Sequence, residues 1–474
     1  MTELKDKEPK NKFWKGVLVG SLVTAFCGIC VVALASGIWV IGRGVTAQQN
    51  IDSTISDETH AEQDAVLTVE ENDGGLDMSV IGPKLKGIEQ AIQEYFLFDE
   101  KDEDETAKER IMSAEDWIYT AYVMSLGDPY SAYYTAEDYK TLMENTEGEY
   151  CGVGVLMSQN VYTGLINVLK VFKEAPADQA GMLPGDVLTG VDGLDVIGMD
   201  LSLVVSDYIK GDEGTDVTLT VYRASEDEYI DLTMTRAIVQ HPTVEYEMLE
   251  NQIGYINLSS FEDVSAAQFI SAVEDLESKG MKALVLDIRN NTGGVVTAAE
   301  DIADYILPDG KEIVSFKGKA LPDSTDISMD KHQLDLPMAV LVNGQSASAS
   351  EILSGALGYH DAAVIVGTKT FGKGIAQGMF SIPDGSALKL TTAYYYLPSG
   401  ECIHKTGIEP DVEVELLKEL ETMVEIPKDQ DNQLQAAIAV LLEGEEVVKE
   451  RLAAEKEAAE KAESEEAETE RTED

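Results

Sequence analysis

The sequence predicts a layered α/β core joined to a small β-rich module, with helical segments on either side and one membrane-crossing helix near the N-terminus. Three observations carry this expectation. Strand-like and helix-like runs alternate through residues 239–415, residues 146–238 hold short strands punctuated by turns, and residues 16–42 contain no charged side chain. Strand–helix alternation implies parallel strand pairs covered by helices.

Residues 1–15 form a basic N-terminus with Lys5, Lys7, Lys10, Lys12 and Lys15. About 26 helical residues within 16–42 reach roughly 39 Å at 1.5 Å per residue, enough to cross a hydrocarbon core of about 30 Å. A secretory signal usually has an apolar core of only about 7–15 residues. The expectation is therefore an uncleaved single-pass anchor, although Val45-Thr46-Ala47 resembles a cleavage pattern. The lysines hold the N-terminus in the cytoplasm and place everything beyond Arg43 outside. Cys27 and Cys30 form a C-x-x-C pair, but they sit inside the apolar run with no second pair at metal-like spacing, so membrane packing accounts for them.

The full chain of 474 residues carries a formal net charge of −53. That excess repels phosphate and argues against a nucleic-acid partner. Residues 43–80 are acidic and poor in bulky apolar groups, as in a linker. Residues 81–145 are helical by periodicity, with Ser113 and Thr135 as helix starts, broken at Gly127 and Pro129. Residues 416–474 are predicted as a C-terminal helical region ending in a Glu/Ala-rich acidic tail.

In the β-rich module, Gly152 and Gly154 flank Val153 at the start of a strand, where backbone N–H groups can converge on an anion. The stretch APADQAGMLPGDVLTGVDG, 175–193, resembles the middle of a PDZ domain. Such domains capture a terminal carboxylate in a glycine loop and add the peptide as a strand. The resemblance implies that Val153, Gly154 and Val155 line the peptide-binding edge.

In the α/β region, NGQSASASEILSGALG places Ser346, Ser348 and Ser350 just before a predicted helix. Ser348 and Glu351 form S-x-x-E, the spacing of a capping box. On its own that pattern marks only a helix start. A serine nucleophile also needs a base, because its hydroxyl is almost never ionised near neutrality. His360 is the best placed of the five histidines and reads as the end of a helix. Lys373, between Gly372 and Gly374 in FGKG, is the other candidate. A lysine of reference pKa about 10.4 becomes a base when burial strips its charge, and three units of lowering correspond to about 4 kcal/mol.

SLGDPYSAYY, the PDZ-like stretch, IGYINLSSF, LDIRNNTGG, NGQSASASEILSGAL, GTKTFGKGIAQ and DNQLQAAIAVL occur in one order. The chain thereby resembles the bacterial carboxyl-terminal processing peptidases, or tail-specific proteases. The resemblance spans about residues 81–415 and again 431–441. It implies a Ser–Lys serine peptidase with Ser348 as nucleophile, Lys373 as base and Gln377 orienting the amine. It selects among the three serines, which alternation alone cannot do. A nucleophile at a helix N-terminus leaves N–H groups beside the attacked carbonyl. Ala349 is then one oxyanion donor, and Gly293 or Gly294 the other.

The resulting expectation is a membrane-anchored endopeptidase, its catalytic part on the outer side of a bacterial cell membrane. It would bind exposed protein C-termini and cleave without metal or other cofactor. Its regions would be the PDZ-like module at 146–238 and the peptidase core at 239–415, with flanking helices that pair two copies. Relatives commonly carry I-R-G late in the PDZ module, and this chain has Ile209-Lys210-Gly211, which keeps the charge and loses the planar fork. Two other readings stand beside it: a membrane-tethered PDZ adaptor without activity, and a Ser–His hydrolase using His360.

Overall fold

The computed structural model describes residues 65–66, 76–95, 112–320, 322–423 and 426–457. The expected anchor at 16–42 and its cysteine pair lie outside them. Among the described residues, no helix is long and apolar enough to cross a membrane.

The chain forms two compact units. The smaller takes residues 40–139 and 378–391. It contains strand β1 (Ala65–Val66) and helices α1 (Met78–Tyr95) and α2 (Ala114–Met124), the latter capped by Ser113, whose side chain accepts the Asp116 N–H. Strand β2 (Ala132–Tyr134) pairs antiparallel with residues 387–389. Asp128 of the GDPYS stretch accepts from Tyr130 N–H (3.1 Å), Ser131 Oγ (2.6 Å) and Thr391 Oγ1 (2.7 Å), so one carboxylate both ends the helical run and fixes the strand.

Helix α3 (Ala136–Glu147) leads into the larger unit. Strand β3 (Glu149–Gly152) pairs antiparallel with β10 (Ala237–Gln240), and the β-rich module lies between them in sequence. Its strands β4 (Val155–Gln159), β5 (Ile166–Val171), β6 (Val187–Val191), β8 (Asp216–Arg223) and β9 (Glu228–Thr235) form a sheet in the order β4-β5-β6-β8-β9, with β7 (Leu194–Asp195) paired to β6. Alternate residues point inward: Val217, Leu219 and Val221 of β8 join Ile166, Val168 and Leu188 in one core. Helix α4 (Pro176–Gln179) and helix α5 (Leu201–Val204), which continues as a π-helical turn Val205–Ile209, complete the module. Lys210, at the I-R-G position, pairs with Glu144 of α3 at 2.8 Å.

The core sheet runs β11-β12-β13-β16-β17-β20, with β11 (Val244–Met248) antiparallel and β12 (Ile253–Leu258), β13 (Ala283–Asp287), β16 (Met338–Val342), β17 (Val364–Gly367) and β20 (Val412–Glu413) parallel. Helices α6 (Ser265–Ser278), α7 (Val296–Ile306) and α8 (Ala349–Tyr359) cover one face, and α9 (Asn432–Glu443) the other. Strands β13 and β16 are buried at every position, which is why they read as unbroken apolar runs. Leu284 and Leu286 face α6–α8, and Ala283 and Val285 face α9. A second sheet holds β14 (Glu312–Gly318), which pairs antiparallel with β15 (Ser324–Ile327) and with residues 393–396 of β19 (Ala387–Tyr396); β18 (Ile375–Ser381) precedes β19. The loops after β13, β16 and β17 carry Gly293, Gly294, Ser348 and Lys373, with Ala349 opening α8 and Gln377 on β18.

Candidate active site

The three serines are not equivalent. Ser346 Oγ donates to the Ile288 carbonyl (2.8 Å) and accepts the Asn343 N–H (2.9 Å). Ser350 Oγ donates to the Asn291 carbonyl (2.8 Å). Both are fully buried and tie the serine loop to the loop after β13. Ser348 stands apart, with φ 58° and ψ −117° at the N-cap of α8. A non-glycine residue held there costs about 1–3 kcal/mol. Such a sharp strand-to-helix turn is the geometry that presents a serine hydroxyl to a substrate. The surroundings enforce it: the Ser348 N–H donates to Glu351 Oε2 (2.9 Å), and its carbonyl accepts from the N–H groups of Glu351 (2.8 Å) and Ile352 (3.0 Å) and from the Tyr395 hydroxyl (3.3 Å).

Glu351 does more than the S-x-x-E spacing predicts. Its carboxylate also accepts the Lys373 N–H on Oε2 (2.9 Å), and the Gly372 N–H (2.7 Å) and Thr370 hydroxyl (2.5 Å) on Oε1. One oxygen thus holds the backbone nitrogens of Ser348 and Lys373 side by side. Burial pushes the Glu351 pKa up, and these four donors pull it back. The Phe371 N–H adds a bond to the Ser346 carbonyl (3.0 Å). Lys373 is 1% exposed and Gln377, at the third position of β18, is fully buried. The glycines seal this region. A Cβ on Gly372 would lie 2.8 Å from the Gly407 nitrogen, and one on Gly374 would lie 2.5 Å from the His404 nitrogen.

The NNTGG loop meets the serine loop edge-on. A Cβ on Gly293, whose φ is +99°, would fall 2.7 Å from the Ala347 carbonyl oxygen, 2.8 Å from Ser348 Cβ and 3.0 Å from the Ala349 nitrogen. Only glycine fits there. Asn291, fully buried, organises the loop: its side chain donates to the Leu258 carbonyl (2.8 Å) and accepts the Gly293 N–H (2.9 Å), while its carbonyl accepts the Ala347 N–H (3.1 Å). Phe261 N–H reaches the Gly293 carbonyl (3.2 Å) and Val295 N–H the Phe261 carbonyl (2.8 Å), a parallel bridge that turns the N–H of Gly294 away from Phe261.

In the β-rich module, Val153 is 1% exposed and its carbonyl accepts the Ala177 N–H (2.9 Å). Gly154 has φ +79°, and a Cβ on it would meet Ala175 Cβ at 2.2 Å. Val155 opens β4, which stands at the edge of its sheet. Val155 and Met157 of β4 pack on the same core as Leu201, Val205 and Tyr208. The three residues therefore lie on one turn into an edge strand.

Residues 252–414 match the family model for Peptidase family S41, and residues 168–223 match that for a PDZ domain. The chain is 38% identical over 294 residues to the carboxy-terminal-processing protease of Bartonella bacilliformis, an alignment covering 61% of this chain and 67% of that protein. It is 38% identical over 300 residues to a probable CtpA-like serine protease of Staphylococcus aureus, covering 62% of this chain and 59% of that one. The solved photosystem II D1 C-terminal processing protease aligns at 31% identity over 64% of this chain and 83% of that one, with a TM-score of 0.38.

The chain is a serine-type peptidase of family S41.

Two residues that organise this candidate site, Asn291 and Tyr395, are not among the sequence-predicted ones. Asn291 and Tyr395 act through the tertiary structure and leave no local signal. Glu351 left the S-x-x-E spacing, which gave its bond to Ser348 but not its bonds to the FGKG loop. His360 ends α8 with its Nε2 2.7 Å from the Glu312 carbonyl oxygen, an end-of-helix role as the sequence reading expects. Among the described residues, no group of three or more His, Cys, Asp or Glu side chains is placed to hold a metal ion.

Proposed function

We propose that the peptidase cleaves polypeptides near exposed C-termini with Ser348 as nucleophile and Lys373 as base. The observation that supports this best is the shared oxygen of Glu351, 2.9 Å from the backbone nitrogens of both residues. An amine shut away from water sheds its proton more readily than one in solvent. Neutral Lys373 takes the Ser348 hydroxyl proton as Oγ bonds to the scissile carbonyl carbon. The carbonyl π pair moves to oxygen and is met by the Ala349 N–H and, since the Gly293 N–H is committed to Asn291, by that of Gly294. Collapse breaks the C–N bond, and the Lys373 ammonium returns its proton to the leaving amine. Water, giving a proton to the same amine, then attacks the Ser348 ester; the acyl C–Oγ bond breaks, and the Lys373 ammonium returns the proton to Ser348 Oγ. Gln377 orients the amine throughout.

The substrate's terminal carboxylate is bound at Val153, Gly154 and Val155, and its last residues add to the β4 edge. The anchor at 16–42 holds the catalytic part on the outer side of a bacterial cell membrane. Two copies pair through the helical flanks, where Trp117, Tyr122 and Met124 of α2 and Ile88 and Ile92 of α1 are about half exposed. The test uses purified residues 44–474 and an unstructured protein tail. Ser348→Ala and Lys373→Ala should each abolish cleavage. Undiminished turnover in either would refute the dyad, and binding without turnover in the wild type would leave the tethered adaptor.

A further inference from the structure

The loop that carries Asn291 and the two glycines is clamped from the far side of the sheet. By the alternation along β13, Asp287 points to the α9 face. There the Arg289 guanidinium uses all five of its N–H donors. Nε reaches Asp287 Oδ1 (3.0 Å), and Nη2 reaches Asp287 Oδ2 (2.6 Å) and Asp431 Oδ2 (2.7 Å). Nη1 reaches Asp431 Oδ1 (3.1 Å) and Gln433 Oε1 (3.0 Å). Asp287 also accepts the Tyr255 hydroxyl at 2.8 Å. Asp431 is in addition the N-cap of α9, its Oδ1 accepting the N–H groups of Gln433 (3.1 Å) and Leu434 (3.0 Å). Asp287 and Asp431 are 3–4% exposed.

The clamp sits next to the reacting region in the chain. Ile288, one residue before Arg289, gives its carbonyl to Ser346 Oγ, and Asn291, two residues after it, gives its carbonyl to Ala347 N–H and Ser350 Oγ. Asn290 between them donates its N–H to Asn343 Oδ1 (3.0 Å) and accepts the Asn343 side-chain amide on its own Oδ1 (2.8 Å). A rigid base at Arg289 therefore fixes where the glycines meet Ser348.

We infer that Asp431 is a positioning residue for the peptidase reaction: by clamping Arg289 from the N-terminus of α9, it sets the oxyanion loop against Ser348. The C-terminal helix is thus part of the active-site scaffold. The inference rests on the assignment of Ser348 as nucleophile.

The test is Asp431→Asn in the full chain of 474 residues, purified in detergent. Asparagine caps a helix as well as aspartate does. Its oxygen keeps the contacts of Oδ1, and its amide group faces Arg289 Nη2 donor to donor. Leu434→Ala is the stability control, since Leu434 is 1% exposed in the α9 core and joins the clamp only through its backbone N–H to Asp431, which alanine keeps. Asp431→Asn should lower kcat by about 10- to 100-fold with KM within about twofold, the size expected from a shift of about 1 Å in oriented groups. Leu434→Ala should melt at least as early and keep kcat within about threefold when assayed well below its melting point. Asp431→Glu, which restores the charge, should recover part of the lost kcat. An Asp431→Asn enzyme with wild-type kcat, or a Leu434→Ala enzyme with an equal loss, would overturn the inference. Ser348→Ala is assayed alongside: if it stays active the nucleophile assignment fails, whereas a dead Ser348→Ala beside a normal Asp431→Asn removes only the role of Asp431.

Discussion

Replacing Glu351 by glutamine tests the contact that joins the serine and lysine loops. The carboxylate accepts four donors, two on each oxygen: Ser348 and Lys373 N–H on Oε2, Gly372 N–H and the Thr370 hydroxyl on Oε1. Glutamine keeps one oxygen and replaces the other with a donor. The less damaging orientation turns the new NH2 toward Thr370 and Gly372. The hydroxyl can rotate, but the Gly372 N–H cannot, so one buried backbone donor is orphaned at about 1–3 kcal/mol. The remaining bonds lose their charge assistance, each falling from about 1.5–3 to about 0.5–1.5 kcal/mol. With the two Oε2 bonds each losing about 1–1.5 kcal/mol beside the orphaned donor, a total of about 3–6 kcal/mol follows, at least about 4 °C in melting temperature for a unit of this size. The catalytic effect is larger, because the FGKG loop is freed from Ser348 and a shift of about 1 Å costs about 10²-fold. Glu351→Gln should therefore melt earlier and lose about 10²-fold or more in kcat on a peptide substrate, measured well below its melting point. A kcat within threefold of wild type and an unchanged melting temperature would refute the staple.

Three further outcomes are expected. Ser350→Ala frees one buried carbonyl and should cost about 1 kcal/mol of stability, and Ser346→Ala, which frees the Ile288 carbonyl and the Asn343 N–H, about 2 kcal/mol, with labelling by a serine-reactive phosphonate retained in both; labelling lost in either and kept in Ser348→Ala would reverse the assignment. His360→Ala removes a ring bonded to the Glu312 carbonyl and should leave kcat within about twofold; a collapse of activity in a folded variant would revive a Ser–His mechanism. Lys389 is 3% exposed, and burial lowers its pKa to about 8, with Asp128 opposing. The unfolded lysine titrates near 10.4, so the unfolded chain binds more protons between about pH 8 and 10.4 and this residue's contribution to stability rises with pH there. It is lost as pH falls through 8, by about 3 kcal/mol in full. Lys389→Met should be more stable than wild type at pH 7 in urea denaturation, with the gap closing toward pH 10; a gap independent of pH would show that the amine is not buried as a charge.

The parts of this peptidase legible in its sequence are those written locally. Alternation of strands and helices gave the parallel core, because β13 and β16 are covered on both faces and stay apolar throughout. Ser113 and the GDPYS break fell where helix α2 and strand β2 begin and end. Strands β14, β15, β18 and β19 were not read: the first five positions of β18 are all buried, so its alternation is hidden, and its glycine reads as a turn. The strained backbone of Ser348 leaves no trace in a residue type that usually avoids positive φ. The hold of Glu351 on Lys373 and of Arg289 on Asp431 are contacts between loops distant in sequence, and such contacts belong to the tertiary structure alone. The family resemblance that selected Ser348 and Lys373 could name them as candidates, and only the fold could show their backbones sharing one oxygen.

The most direct measurement of the central claim is the rate at which Ser348 is acylated by a fluorophosphonate probe across pH 5–11, in the wild type and in Lys373→Ala. The wild-type rate should rise with a single ionisation well below the ordinary lysine value of about 10.4, and Lys373→Ala should show almost no labelling while remaining folded. Labelling of Lys373→Ala at the wild-type rate, or an ionisation at the ordinary lysine value, would contradict it.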